Sequence, residues 1–328
     1  MKLRDAWFLL RMDRLSGRFE EMLWLRAGLR SGALEALTRR SLAPAELARA
    51  LGGDADLTQA FLTAGCACGW LRDHGGHLAL TSRAKTLLSN PGLRALVLYE
   101  AETRERGMRI LPEVLRGGGR PTLDPEAPPI IARVSALAAP LTLRFLRRLP
   151  GLSSPGAKLL DVGCGTAEYL AGLSGRLPNA QALGLDLDPN VVALANENLQ
   201  RLAMGGRIQV RCADIRTAAL DPPYRLILAN QILHYFPVQE RPALFQRLAS
   251  LLEPGGHLVV QQLLKPEGRP QRSLAFLDLF LSLHSGMSRL PTASEVGALL
   301  SGAGLEAAPP RRVAFSRAFR LFAAQRRS

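Results

Sequence analysis

Cysteine is scarce in this chain: Cys66, Cys68, Cys164 and Cys212 are the four in 328 residues. Cys66 and Cys68 stand two apart on a predicted helix, where side chains at that spacing diverge. Neither a disulfide framework nor a metal set is expected, and the cysteines read as small core residues. Lysine is rarer than its share of a +14 chain would suggest, with only Lys2, Lys85, Lys158 and Lys265 present, so arginine carries the positive charge. Such a field favours anionic substrates, nucleic acid or acidic membrane surfaces. The charge is spread, however. Only the stretch from Arg311 onward is one-sided, and a solvated surface accounts for it. No uninterrupted apolar run reaches the ~18 residues of a membrane span. The first residues, MKLRDAWFLLRMDRLSGRFEEM, are too charged for a secretory signal and read as an amphipathic helix. A cytoplasmic location follows by default.

What is present is more telling. Leu159, Leu160 and Val162 form a short apolar run, the pattern of a strand buried on both faces. It breaks into Gly163-Cys164-Gly165 and is followed by a helical pattern from Ala167. Glycines there let a ligand approach the backbone. A second apolar run, Ala182 to Leu185, ends on Asp186, 23 residues beyond Gly163. A carboxylate at the tip of the neighbouring parallel strand accepts from both hydroxyls of a ribose. The third glycine of a dinucleotide fingerprint is absent, its place taken by Ala167 or Glu168. Glu168 repels a pyrophosphate and suits an ammonium, and Asp161 adds a further anion. S-adenosyl-L-methionine, with a sulfonium, an ammonium and no phosphate, fits this loop better than NAD.

The following segments continue the pattern. Residues 207–215 (RIQVRCADI) predict a third strand ending at Asp214, placed to accept from an adenine amino group. Residues 224–236 (YRLILANQILHYF) predict a fourth, leaving Asn230 and His234 at or beyond its end, and 251–264 give a turn and a fifth. In order and content these segments resemble the class I S-adenosylmethionine-dependent methyltransferases over residues 155–264. The fold expected is α/β, a doubly wound Rossmann-like methyltransferase sheet. Residues 304–325, after a helix near 293–303, read as two strands that close one edge of that sheet as an antiparallel pair.

The N-terminal half has its own grammar. A helix over 42–51, a Gly-Gly-Asp turn, and a helix over 55–70 capped by Asp54 or Asp56 come first. A hairpin through Gly75-Gly76 and a helix capped by Thr81 or Ser82 follow. Helix-turn-helix plus hairpin predicts a mostly α winged-helix domain. A DNA reader needs basic or amide side chains at the start of its second helix. Asp54 and Asp56 stand there, and no basic residue occurs between Arg49 and Arg72. Nucleic acid is therefore not the expected partner.

A winged helix followed by a class I domain resembles the small-molecule O-methyltransferases, and residues 275–305 extend that resemblance beyond the sheet. It implies residues 1–116 as a dimerisation domain, 117–129 as a Gly/Pro-rich linker, and 130–328 as the catalytic domain. It also implies a homodimer and a small, aromatic or polyketide-like acceptor methylated on a hydroxyl oxygen. By the same resemblance Asp161, Gly163, Cys164, Gly165, Asp186, Leu187, Asp214, Ile215 and Asn230 hold the cofactor, and His234 is the base. Tyr235, Phe236, His284 and Met287 line the acceptor pocket. Two glutamates that orient the family's histidine map to Gln262 and Leu290, and neither can stabilise an imidazolium by charge. C- or N-methylation without a histidine base, and a non-methylating S-adenosylmethionine-binding regulator, are the alternatives.

Overall fold

The computed structural model describes residues 3–327 apart from 153, 155, 178 and 314–317, with side chains from Arg11 onward. The chain divides into two compact units, Met1–Glu105 and Arg106–Ser328. The first begins with a long helix, α1 (Leu3–Arg30), then α2 (Ala33–Arg39), α3 (Pro44–Leu51) and α4 (Ala55–Ala67). Asp54 is the cap of α4, its Oδ1 accepting from Leu57 N at 2.7 Å. The helix stops at Ala67, short of the expected residue 70, because Gly69 turns left-handed at φ 74°. Strands β1 (Leu71–His74) and β2 (His77–Leu80) pair antiparallel across Gly75-Gly76. Thr81 caps α5 (Ser82–Ser89), and α6 (Pro91–Leu98) follows. Trp24, Leu34, Leu47, Leu62, Leu71 and Leu88 make the core of this unit.

Helix α7 (Arg104–Leu115) carries the chain into the second unit, where α8 (Ala127–Ala136) and α9 (Ala139–Leu146) precede the sheet. Five parallel strands form the centre of that sheet. They are β3 (Lys158–Val162), β4 (Gln181–Asp186), β5 (Ile208–Cys212), β6 (Tyr224–Asn230) and β7 (Leu252–Leu263). Helices α10 (Glu168–Ser174), α11 (Pro189–Arg201) and α12 (Arg241–Ser250) lie between successive strands except β5 and β6, with α13 (Arg272–Ser282) and α14 (Ala293–Gly302) after β7. Three further strands are β8 (Leu305–Ala307), β9 (Arg311–Arg312) and β10 (Phe319–Arg326). The sheet runs β5-β4-β3-β6-β7-β10-β8, with β9 also on β10. This is the doubly wound order the sequence leads one to expect. At the far edge β10 lies inside, antiparallel to both β7 and β8. The turn expected between the last strands falls partly on 314–317, outside the described residues.

Strand order reverses between β3 and β6, and ligands of open α/β sheets bind in the crevice beyond the strand ends at such a point. Side chains alternate across the sheet with period two. Leu160, Val162, Ile227, Ala229, Leu258 and Val260 face one helical layer. Leu159, Leu226, Leu228 and Val259 face the other, with Leu143 and Leu170. By the same alternation Asp161, Asn230 and Gln261 fall on this second face, at the carboxyl ends of three adjacent strands. Among the described residues no single helix is long and apolar enough to cross a membrane.

Candidate active site

The crevice begins with the turn after β3. Gly163 N and Cys164 N both donate to Leu185 O, at 2.8 and 2.9 Å, which ties the turn to the end of β4. Gly163, Gly165 and Ala167 all have positive φ, at 69°, 53° and 59°. Gly163 is required twice over. Its φ disfavours a side chain, and a Cβ would stand 2.5 Å from Ile232 Cγ2. Gly163→Ala is therefore expected to cost about 2–4 kcal/mol of stability, combining left-handed strain with overpacking. A shift of the urea midpoint without a change in slope would show it. Cys164 turns its sulfur inward over Gly184, where an added Cβ would lie 2.7 Å from Sγ. Only the backbone of Cys164 faces the crevice.

Two buried side chains at the switch point have no partners. Asp161 is 1% exposed and Asn230 7%. Neither oxygen of Asp161, and neither polar atom of Asn230, has a hydrogen-bond partner. Polar groups this buried are costly unless satisfied. Burial, and then the nearby Asp186 carboxylate, push the Asp161 carboxyl well above its usual range. Gln261, between them and the next strand, is satisfied instead: it accepts from the Thr142 hydroxyl and its Nε2 donates to Tyr169 Oη at 3.3 Å.

Asp186 sits at the tip of β4 and braces the loop. Its Oδ2 accepts from Gly165 N at 3.1 Å and its Oδ1 from Asp188 N at 3.2 Å. Each oxygen keeps acceptor capacity for a ribose hydroxyl. Burial raises its pKa against the opposing effect of those backbone donors. Leu187, the next residue, is 58% exposed, and Ile215 is buried. Asp214 lies two residues beyond β5 and is gripped by Arg216, whose Nη2 approaches Oδ2 at 2.7 Å. That hydrogen bond holds the Asp214 carboxyl below its usual range. Any further donor reaching Asp214 shares it with this guanidinium. Glu168 Oε1 accepts from Asn198 Nδ2 at 3.1 Å.

Beyond β6 the chain turns at Gln231, with φ 54°, and makes a single 3-10 turn, Leu233–Tyr235. This turn places His234 four residues past Asn230. Burial, and then the Arg241 cation, push the His234 imidazole down to about 4. A ring so reluctant to take a proton is a poor base for a phenol of pKa ~10. Leu290 is buried in an apolar cluster and offers nothing to the ring. Arg241 was not distinguishable by sequence pattern. It is 1% exposed and holds the loop by donating to Leu233 O, Ser288 Oγ and Arg289 O at 3.1, 2.7 and 2.6 Å.

The expected pocket residues divide. Tyr235 is 37% exposed and its ring lies 4.4 Å from that of His234. Phe236 belongs to the sheet core. Met287 packs against the cluster around Phe280, and the adjacent Ser288 N donates to His234 O at 2.8 Å. His284 is buried, its Nδ1 2.8 Å from Phe280 O, so that nitrogen is the donor. A separate recess of about 380 Å³, lined by Gln246, Ala249, Gly302, Leu305 and Arg326 among others, lies away from all of these groups.

Comparison with known proteins finds relatives in sequence and in fold. Residues 159–256 match the family described as Methyltransferase domain. The chain is 34% identical over 167 residues to trans-aconitate 2-methyltransferase of Methylobacterium nodulans, covering 49% of this chain and 61% of that protein. It thus spans less than two thirds of that relative. It is 27% identical over 274 residues to demethylspheroidene O-methyltransferase of Cereibacter sphaeroides, covering 79% of this chain and 71% of that one. Human N-acetylserotonin methyltransferase, solved in complex with S-adenosylmethionine, shares the fold with a TM-score of 0.77 at 19% identity, over 98% of each chain.

Proposed function

We propose that this chain, whose residues 159–256 form an S-adenosylmethionine-dependent methyltransferase domain, methylates an oxygen of a small, aromatic or polyketide-like molecule. The observation that carries the reading is the pair of unpartnered, buried side chains, Asp161 and Asn230, facing the crevice at the switch point. Asp161 is a buried carboxyl that a cation would draw into its ionised form, and Asn230 offers both a donor and an acceptor. With Gly163, Cys164, Gly165, Asp186, Leu187, Asp214 and Ile215 they make a site for a cationic nucleoside.

Bound S-adenosylmethionine supplies an electrophilic methyl group on its sulfonium. The chain's part is alignment and exclusion of water. Asp186 holds the ribose, Asp161 takes the ammonium, and Asp214 shares the adenine amino group with Arg216. His234 and Tyr235 stand where the acceptor enters, with Met287 beyond them. Oxygen as the nucleophile draws support from the demethylspheroidene enzyme, which matches 79% of this chain. The N-terminal helices and hairpin support a winged-helix domain within residues 1–116. Met12, Leu15 and Phe19, exposed along one side of α1 at 41%, 43% and 57%, favour a homodimer formed through it. The working location is the cytoplasm.

Incubation with methyl-labelled S-adenosylmethionine and a fractionated extract tests the reading. Label is expected in an organic-soluble small molecule, base-stable as an ether or base-labile as an ester, and absent with Asn230→Leu. Label in nucleic acid, or none with cofactor bound, would sink it.

A further inference from the structure

His234 is held by a chain of amides whose polarity is fixed from the backbone. Leu263 N donates to Gln231 Oε1 at 3.1 Å, so that oxygen is an acceptor. Gln262 Nε2 lies 3.1 Å from the same oxygen and must therefore be the donor in that contact. The opposite end of the Gln262 amide agrees, since its Oε1 receives Leu233 N at 3.4 Å. An amide nitrogen has two protons. The second has two acceptors in reach, His234 Nδ1 and Leu263 O, each at 3.4 Å, and a protonated Nδ1 would set two donors against each other. A ring nitrogen that receives a proton in a hydrogen bond cannot also carry one, and in a neutral imidazole the proton then sits on the other nitrogen. The charged groups around the ring reinforce neutrality: Arg241 acts on it directly, while the Glu295 carboxylate acts on Arg241 and is held by Arg289.

We propose that Gln231 and Gln262 lock His234 in the tautomer protonated on Nε2, so that it donates a hydrogen bond to an acceptor oxygen that arrives already ionised. The acceptor is then an oxyanion at neutral pH, such as a carboxylate or an acidified phenol or enol. Its lone pair forms the new O–CH3 bond as the C–S bond breaks with its electrons passing to sulfur. A sulfonium becomes a neutral thioether and no proton moves, so no base is needed. Gln262 and Gln231 are positioning residues in this arrangement. The assignment of His234 as a donor rests on the methyltransferase reading, and specifies the acceptor class within it.

The test is the nitrogen spectrum of 15N-histidine-labelled full-length protein saturated with S-adenosylhomocysteine at pH 7. His234→Asn identifies the His234 signals among the five histidines. The expected pattern is an unprotonated Nδ1 and a protonated Nε2 that persists as pH falls to 5. Gln262→Glu should reverse it, putting the proton on Nδ1 and raising the pKa of the ring by more than one unit, since a carboxylate accepts from Nδ1 and stabilises the cation. A wild-type ring protonated on Nδ1, or one that Gln262→Glu leaves unchanged while the variant keeps its fold by circular dichroism, overturns the proposal. Failure to bind S-adenosylhomocysteine in calorimetry would instead reject the methyltransferase reading, so the two failures are separable.

Discussion

Asp186→Ala is expected to weaken S-adenosylmethionine binding by two to three orders of magnitude while the fold survives. A hydrogen bond to a charged acceptor is worth about 1.5–3 kcal/mol, and a ribose would offer two. At about 1.4 kcal/mol per tenfold, both together reach that range even after partial compensation by water. The wild-type carboxylate is expensive in the ligand-free protein, because burial opposes its charge. Its removal should therefore shift unfolding by no more than about 1 kcal/mol, the worth of the brace to Gly165 N and Asp188 N. Calorimetric titration beside urea unfolding checks both halves. Normal binding would remove Asp186 from the site. Lost binding with a collapsed urea midpoint would assign it a structural role instead.

Affinity for S-adenosylmethionine should climb with pH by up to tenfold per unit below the raised pKa of Asp161, over the range where the ligand's own amine remains charged. The ionised form of Asp161 is the one that pairs with an ammonium. In the ligand-free protein its pKa is raised, by burial first and by Asp186 second. Below that raised value a proton must leave before the ion pair forms, so binding strengthens as pH rises and levels off above it. Folding stability runs the other way. The stabilisation belonging to the protonated form is complete below the ordinary Asp range and is lost as pH rises through the elevated value. Asp161→Asn should flatten the pH dependence, raise the melting temperature of the ligand-free protein near pH 7.5, and weaken binding. Titration in two buffers of different ionisation enthalpy counts the protons directly. Zero protons released at every pH between the ordinary Asp range and neutrality would refute the assignment.

The sheet was legible in the sequence because its central strands are apolar on both faces. Leu159, Leu160 and Val162 are continuous where a one-sided strand would alternate, and glycine marks the turn where the strand must end. The strand-end carboxylates were legible for the same reason, since Asp161 and Asp186 interrupt or terminate apolar runs. What was not legible depends on contacts between distant residues. Expecting Asp214 at a strand end missed Arg216, two residues on, because a charge pair leaves no periodic trace. Phe236 reads as a pocket residue from its place after His234, yet the turn starting at Gln231 swings it into the core. The state of His234 is set by Gln262, 28 residues away, and by the fully buried Arg241. The substitution of an amide for an acid at Gln262 was visible. Its consequence for the ring needed the direction of every hydrogen bond back to Leu263 N.

The antiparallel strand β10 has a consequence for biosynthesis. Its residues Leu321, Phe322 and Ala324 are buried, and it occupies the position beside β7 that continues the sheet. During translation β7 emerges with α13 and α14 still to be made, so one side of it stays an unpaired edge until β10 has cleared the ribosome. An exposed, apolar edge of this kind recruits other strands. The nascent chain is thus most vulnerable to aggregation in that interval, and slow codons between Leu263 and Phe319 would lengthen it.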